Sequence, residues 1–381
     1  MKQTLLICLL LVFCAGLTSF SGYAASVDEM LPDGHKPAWD PSDLRSVPVS
    51  PHNLSITIIN SCDVRVSWQP VTQATNGLPF TPDGYKVFCA PDLSQTPINY
   101  SYIGSTADTF YDHLGVVAAH ECMFYYVLAI KESMVLVPGG TFYNGASEVT
   151  LSSFYLDKYE ITQDTYQAVM GVNPSFFTGV IDGPTERASW FNAIEYCNRR
   201  SLLEGLTPCY EYSTYGSNPD NWPPNWYVVS NNHNNIICIW TATGYRLPTE
   251  MEWMFAAMGG NLAQGFIYSG SSDIDAVAWY GGAAFGGNSG DTSHPVGGLA
   301  PNQLGIYDMS GNVWEWCWDI HDSYPVTPQT NPHGPDSGSY RVARGGSWGS
   351  AAMNCAVAHR NYYGVNTYHF HMGFRVCRIS P

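Results

Sequence analysis

The turn Asp308-Met309-Ser310-Gly311-Asn312-Val313 carries the strongest sign of metal chemistry in this sequence. One carboxylate among backbone carbonyls is a set of hard oxygens, and hard oxygens suit Ca²⁺ better than a soft metal. His369 and His371 alternate, so on a strand they share one face, but no third ligand accompanies them. Asp319 and His321 are spaced for acid–base work, with no nucleophile motif beside them. Glu315 stands between Trp314 and Trp316. A carboxylate in such surroundings must find donors or a cation, and Arg344, Arg360 and Arg375 are the candidates. Arg246 and Glu250 flank a Leu-Pro corner and are expected to form an internal ion pair.

A second kind of chemistry is recognition. Between Trp348 and Met372 the chain gathers Gly349, Ser350, Met353, Asn354, Asn361, Tyr362, Tyr363, Asn366, Tyr368, His369, Phe370 and His371. Tyr, Asn, Ser and Gly are what adaptable binding loops use, because they give contact area and hydrogen bonds at low entropic cost. The segment Asn361–His371 is therefore expected to be exposed, since burying its Asn and His groups would demand a partner for each.

The elements that must position these residues follow from composition and patterning. The chain has 381 residues, more than one typical core holds, so two domains are expected. Charged residues are only 13%, against 36 Gly and 25 Pro, which suits turn-rich structure better than helical bundles. A net charge of −16 offers no basic stripe to neutralise phosphates, so nucleic acid is excluded as an expected partner. Lys2, the apolar run from Leu5 to Ala15 and Gly22-Tyr23-Ala24 predict a signal peptide over 1–24, hence an exported protein. Phe13 before Cys14 argues against a lipobox, and no later run is long enough to span a bilayer. Of the 11 cysteines nine remain after such cleavage, and export makes disulfides reasonable. Cys62, Cys89 and Cys122 fall in the first module, an odd number.

Residues 25–49 read as a linker. Over 50–132 short β-type runs, at Ser55–Ile59, Val64–Trp68, Tyr85–Cys89 and Met123–Ile130, alternate with turn signals such as Asn76-Gly77 and Asp83-Gly84. Trp68 is expected to face Tyr85 across a sandwich. VRVSWQP, GYKVF and FYYVLAIK in that order resemble a fibronectin type III module, which implies a spacer. From 133 onward Thr162, Ser189 and Thr249 are placed to cap helices, Thr249 with Glu252 as a capping box. Helices early and irregular β late predict an α+β domain over 133–381.

Within that domain MVLVPGGTF, FYLDKYEIT, GYRLPTEMEWMFAA, GIYDMSGNVWEWCWD, RVARGGSW and GFRV occur in order. Together they resemble the formylglycine-generating-enzyme (sulfatase-modifying factor) family. The resemblance implies a complex C-type-lectin-like fold and a structural calcium bound by the Asp308 side chain and the carbonyls of Met309, Gly311 and Val313. The family's second calcium site falls near Ala278 and Asn288, which do not supply its side chains. The family enzyme oxidises a sulfatase cysteine with two thiolates that bind Cu(I). The matching positions are Ser350 and Cys355, and a serine hydroxyl is a poor Cu(I) ligand, so copper is not expected. The family also implies a bridge Cys197–Cys377. Cys209 and Cys238 flank a loop they could close, which leaves Cys317 and Cys355 as a third pair; the pairing stays open. The C-terminal segment, with GGSW and GFR at its ends, further resembles the variable segment of C-type-lectin-like proteins diversified by retroelements.

Three functions are compatible with these residues: an exported, non-catalytic protein that binds a protein or surface ligand; a copper-dependent oxidase; and a structural envelope protein. Ser350 argues against the second, and the aromatic segment against the third.

Overall fold

The structure is a computed structural model that describes residues 134–180, 182–228 and 230–380, and before them 19–21, 54–58, 63–70, 84–90, 101–106, 108–114 and 124–130. The chain divides into two compact units, 2–132 and 133–381. Among the described residues no helix is long and apolar enough to cross a membrane.

The first unit is built from antiparallel strands. Ser55–Ile58 pairs with Val64–Ser67, which pairs with Phe110–His113; Ser19–Ser21 adds to the outer edge of Ser55–Ile58. Gly84–Ala90 lies between Ser101–Thr106 and Phe124–Ile130 in a second sheet. Alternation explains the first sheet: Val64, Val66 and Trp68 are buried. Arg65, on the opposite face, pairs with Asp112 at 2.6 Å and lies 4.2 Å over the Phe110 ring. The segment 1–24 is described only at Ser19–Ser21. The linker, the Asn76-Gly77 turn, Cys62, Cys122 and the side chains of Tyr85 and Cys89 lie outside the described residues.

The second unit mixes helices with small sheets. Helix α1, Gln163–Met170, starts at Thr162, whose hydroxyl accepts from Thr165 N, and stops at Gly171 in the left-handed conformation. Helix α2, Trp190–Leu203, has a capping box between Ser189 and Asn192. Helix α3, Glu250–Ala257, has the expected Thr249–Glu252 box and is buried on all sides. A four-stranded sheet runs in the order Asn361–Gly364, Tyr340–Arg344, Trp314–Ile320, Met372–Gly373. Phe154–Asp157 sits between Met134–Val137 and Cys377–Ile379, so both ends of the domain close on one sheet.

The core has two centres. One gathers Trp190, Phe191, Tyr196, Trp314, Trp316 and Phe374. The other gathers Val137, Phe154, Trp253, Phe255 and Met309. Arg375 runs through the interior and holds Glu315 with two bonds of 2.6 Å; both side chains are fully buried. Trp253 Nε1 donates to the same carboxylate at 2.7 Å, and spare guanidinium N–H groups donate to the carbonyls of Asp157 and Tyr307. Of the three cations the sequence offered, Arg375 is the partner, and the pair is satisfied as burial demands.

The expected Arg246–Glu250 pair is not formed. Arg246 binds Glu252 in a bidentate pair at 2.6 and 2.7 Å. Glu250 is bound by Arg360 through two bonds of 2.7 Å. The capping box explains the exchange: it turns Glu252 back toward the helix start, where Arg246 lies, while Glu250 leaves on another face.

Candidate functional site

Ser350 and Cys355 lie at the entrance and exit of one short turn. Ser350 is buried, its Oγ accepting from Ser347 N at 3.0 Å and facing the Ser347 hydroxyl at 3.0 Å. Cys355 is fully buried beneath Gly346, where an added Cβ would stand 2.6 Å from its sulfur. Burial pushes the Cys355 thiol up to about 12. A thiol so enclosed is a weak nucleophile at neutral pH, and the serine hydroxyl is a poor ligand for a soft metal.

The six cysteines of this domain are free thiols, all buried, so none of the expected bridges Cys197–Cys377, Cys209–Cys238 or Cys317–Cys355 is formed. Four of the sulfurs nevertheless lie close enough to act on one another: after burial, Cys209 and Cys238 raise the Cys197 thiol, and Cys197 and Cys209 raise that of Cys377. Cys197 belongs to the core around Trp190, Cys377 to that around Trp253. The Cys377 sulfur takes a 2.9 Å bond from Arg246. Cys209 and Cys238 share the core around Trp190, and, after burial, Cys209 helps to raise the Cys238 thiol. Cys209 Sγ donates to Gly244 O at 3.3 Å. Cys317 packs in the Trp253 core, and Cys355 lies beneath Gly346.

Three residues of the turn 308–313 are left-handed: Asp308 (φ 57°), Gly311 (φ 83°) and Asn312 (φ 56°). The Asp308 carboxylate is buried and accepts from Gly297 N at 2.6 Å. Burial holds it up at about 6. Glu160, bonded to Val313 N and Asn312 Nδ2, is raised well above the carboxylate range by burial and then by the neighbouring Asp308 and Glu315. Three buried carboxylates thus share the charge of Arg375, which is committed to Glu315. This excess of hard oxygens fits a divalent cation on Asp308 and the carbonyls of Met309, Gly311 and Val313. Among the described residues no group of three or more His, Cys, Asp or Glu side chains could hold a metal, so any such site depends on carbonyls. At the second family position Ala278 and Asn288 bond to one another, Asn288 Nδ2 donating to Ala278 O at 3.0 Å.

The C-terminal segment forms an aromatic face, but it is not exposed throughout. Met353 is 73% exposed, Tyr368 63% and Phe370 43%; Asn366 and His369 are also exposed, while Gly349, Asn354 and Asn361 are half-buried. Strand alternation divides the tyrosines of Asn361–Gly364. Tyr362 points outward against Tyr340 and His321, with ring centres at 5.2 and 4.2 Å. Tyr363 turns inward against Trp314 and Trp316, where polar Asn361 Nδ2 reaches its hydroxyl at 3.1 Å. Ser350, Tyr363 and His371 are thereby removed from the surface expected to contact a ligand. His371 is half-buried, stacked on His369 at 5.2 Å, and burial lowers it to about 4.

Two rings that the sequence reading missed complete the face. Phe177 meets Trp348 edge-on at 5.3 Å, Phe176 lies 5.9 Å from Phe370, and Trp348 stacks on Phe370 at 5.7 Å. Their loop is held by Glu186, whose carboxylate accepts from the backbone N–H groups of Phe176 and Phe177. Burial raises the Glu186 carboxyl to about 7. The only sequence signal was the pair Phe176-Phe177 among Asn, Ser and Gly.

An α+β domain with little regular structure, a strained oxygen-rich turn and an aromatic face on its C-terminal segment belongs with proteins of the C-type-lectin-like type. Residues 128–379 match the sulfatase-modifying factor enzyme 1-like domain, and the chain belongs to that family. It is 40% identical over 272 residues to the chaperone protein LppX of Paenibacillus barcinonensis, spanning 65% of this chain and 90% of LppX. It is 30% identical over 297 residues to the formylglycine-generating enzyme of Thermomonospora curvata, spanning 66% of this chain and 95% of that enzyme. Among solved structures it is similar to Treponema denticola variable protein 1, with 32% identity and a TM-score of 0.56 over 65% of this chain and 95% of that one.

Proposed function

We infer that this chain is an exported, non-catalytic binding protein of its family, which recognises a protein or surface ligand through the aromatic face around Trp348, Met353, Tyr368 and Phe370. The observation that carries this reading is the state of the two family catalytic positions: Ser350 is tied to Ser347, and Cys355 is a buried neutral thiol. Where an oxidase needs two exposed soft ligands, this chain has neither, while it keeps large apolar side chains in solvent nearby. Soluble proteins seldom keep contiguous apolar surface without a use for it. The net charge of −16 argues against nucleic acid as the ligand. Asp308, Met309, Gly311 and Val313 hold a structural calcium in this reading, which fixes the turn leading into Trp314–Ile320. The first unit acts as a fibronectin type III-like spacer.

The test compares the full chain with a variant carrying Met353→Ala, Tyr368→Ala and Phe370→Ala against a panel of purified extracellular proteins. The wild type should retain a partner that the variant loses. Exposed substitutions usually cost little, so the two melting temperatures should agree within about 2 °C. A variant that unfolds, or one that binds as well as wild type, would show that these rings serve the core or that recognition lies elsewhere.

A further inference from the structure

We propose that a groove beside the aromatic face takes a carboxylate-bearing peptide segment, with Arg187 as its anion-recognising residue. The inference rests on the binding reading above and names the chemistry of the ligand. The groove has a volume of about 530 Å³ and is lined by Pro174, Arg187, Asn192, Tyr227, Asn366 and Tyr368, among others. Its walls run directly into the aromatic face: Pro174 lies two residues before Phe176, and Tyr368 two residues before Phe370, and those two rings touch.

Arg187 is the distinctive residue. It is exposed and adopts φ 58°, a left-handed conformation that a side chain such as arginine seldom takes. Its N–H donates to the carbonyl of His369 at 3.1 Å, so the C-terminal segment itself holds the strained backbone in place. Backbone strain of this kind persists where surrounding structure fixes it, and it collects at ligand sites. The guanidinium lies 6.0 Å from the centre of the Tyr368 ring, a loose contact that leaves its N–H edge open. The neighbouring carboxylate does not cap it, because Glu186 is buried and accepts from the amides of Phe176 and Phe177.

The other polar groups sort themselves by the bonds already made. Asn192 Oδ1 accepts from Ser189 N and Ser189 Oγ, so its NH₂ is what it offers the groove. Asn366 Nδ2 donates to Val228 O at 3.1 Å, so its Oδ1 is the free acceptor. A fork of guanidinium donors with an amide donor matches a carboxylate, and the amide acceptor matches a backbone N–H beside it. The exposed Tyr227 and Tyr368 give flat apolar walls, and the ledge of Phe176, Trp348 and Phe370 beyond them suits an apolar side chain. The ligand chemistry is thus an acidic residue followed within a few positions by an aromatic or aliphatic one.

The test uses the full chain and an array of synthetic peptides in which Asp or Glu stands zero to four residues from Phe, Trp or Leu, each paired with its Asn or Gln counterpart. A charge-assisted bond should favour the acidic member of a pair by about tenfold or more. Arg187→Gln should remove that preference, and Arg187→Lys should keep part of it. Tyr368→Ala, at an exposed wall, should weaken the acidic peptides and serves as the second variant should Arg187→Gln fail to fold. Equal binding of acidic and amide peptides overturns the inference, as does a preference that survives Arg187→Gln, or a Tyr368→Ala variant that binds the acidic peptides as tightly as wild type. An array that binds no peptide at all also overturns it, while the broader binding reading is judged separately by the purified extracellular proteins.

Discussion

Asp308 decides the metal assignment. Its carboxylate is buried and stands near Glu160 and Glu315; burial holds it up at about 6, with Glu315 adding to the rise and Arg375 opposing it. A bound calcium would neutralise this excess. At 100 times its dissociation constant a ligand of the folded state adds about 2.7 kcal/mol to stability. Chelator should therefore lower the melting temperature of the wild type, read by calorimetry, and leave Asp308→Ala unaffected. An unchanged melting temperature in chelator would contradict the assignment. Much at this level was legible in the sequence: the carboxylate between Trp314 and Trp316 demanded a cation and has one. The partner of Arg246 was not, because Glu250 is the nearer carboxylate in sequence and only the capping box, which turns Glu252 back, makes the farther one the partner.

The loop 173–178 is the element on which the aromatic face depends. Glu186 ties down Phe176 and Phe177, and those rings support Trp348 and Phe370. Its carboxyl is raised to about 7, above the ordinary value of 4.5, so the folded state binds its proton more tightly than the unfolded chain does. The stability linked to that proton is complete below about pH 4.5 and is lost as pH rises through about 7. Urea midpoints of the wild type should fall between pH 5 and pH 8 by more than those of Glu186→Gln. Parallel midpoints for the two proteins would contradict it. Helix starts at Thr162, Ser189 and Thr249 were legible because capping chemistry is local. The contribution of Phe176-Phe177 was not, since an aperiodic loop gives no sign of what it packs against. The inward turn of Tyr363 follows from alternation on a strand whose register the sequence did not reveal.

Taken whole, the chain joins a strand-rich N-terminal unit to a domain of the sulfatase-modifying factor family. The ordered motifs from MVLVPGGTF to GFRV made the family legible at once, because each is tied to a buried structural role: GFR supplies Phe374 and Arg375 to the core, and the WEW motif supplies Glu315. The state of the cysteines was less legible, because four buried sulfurs share one neighbourhood and spacing along the chain does not say which of them bond. Ser350 and the burial of Cys355 bear most directly on function. The full chain, incubated with copper, oxygen and a sulfatase-derived peptide carrying the CxPxR motif, should leave the peptide mass unchanged in mass spectrometry. A mass loss corresponding to formylglycine would contradict the reading of this protein as a non-catalytic binder.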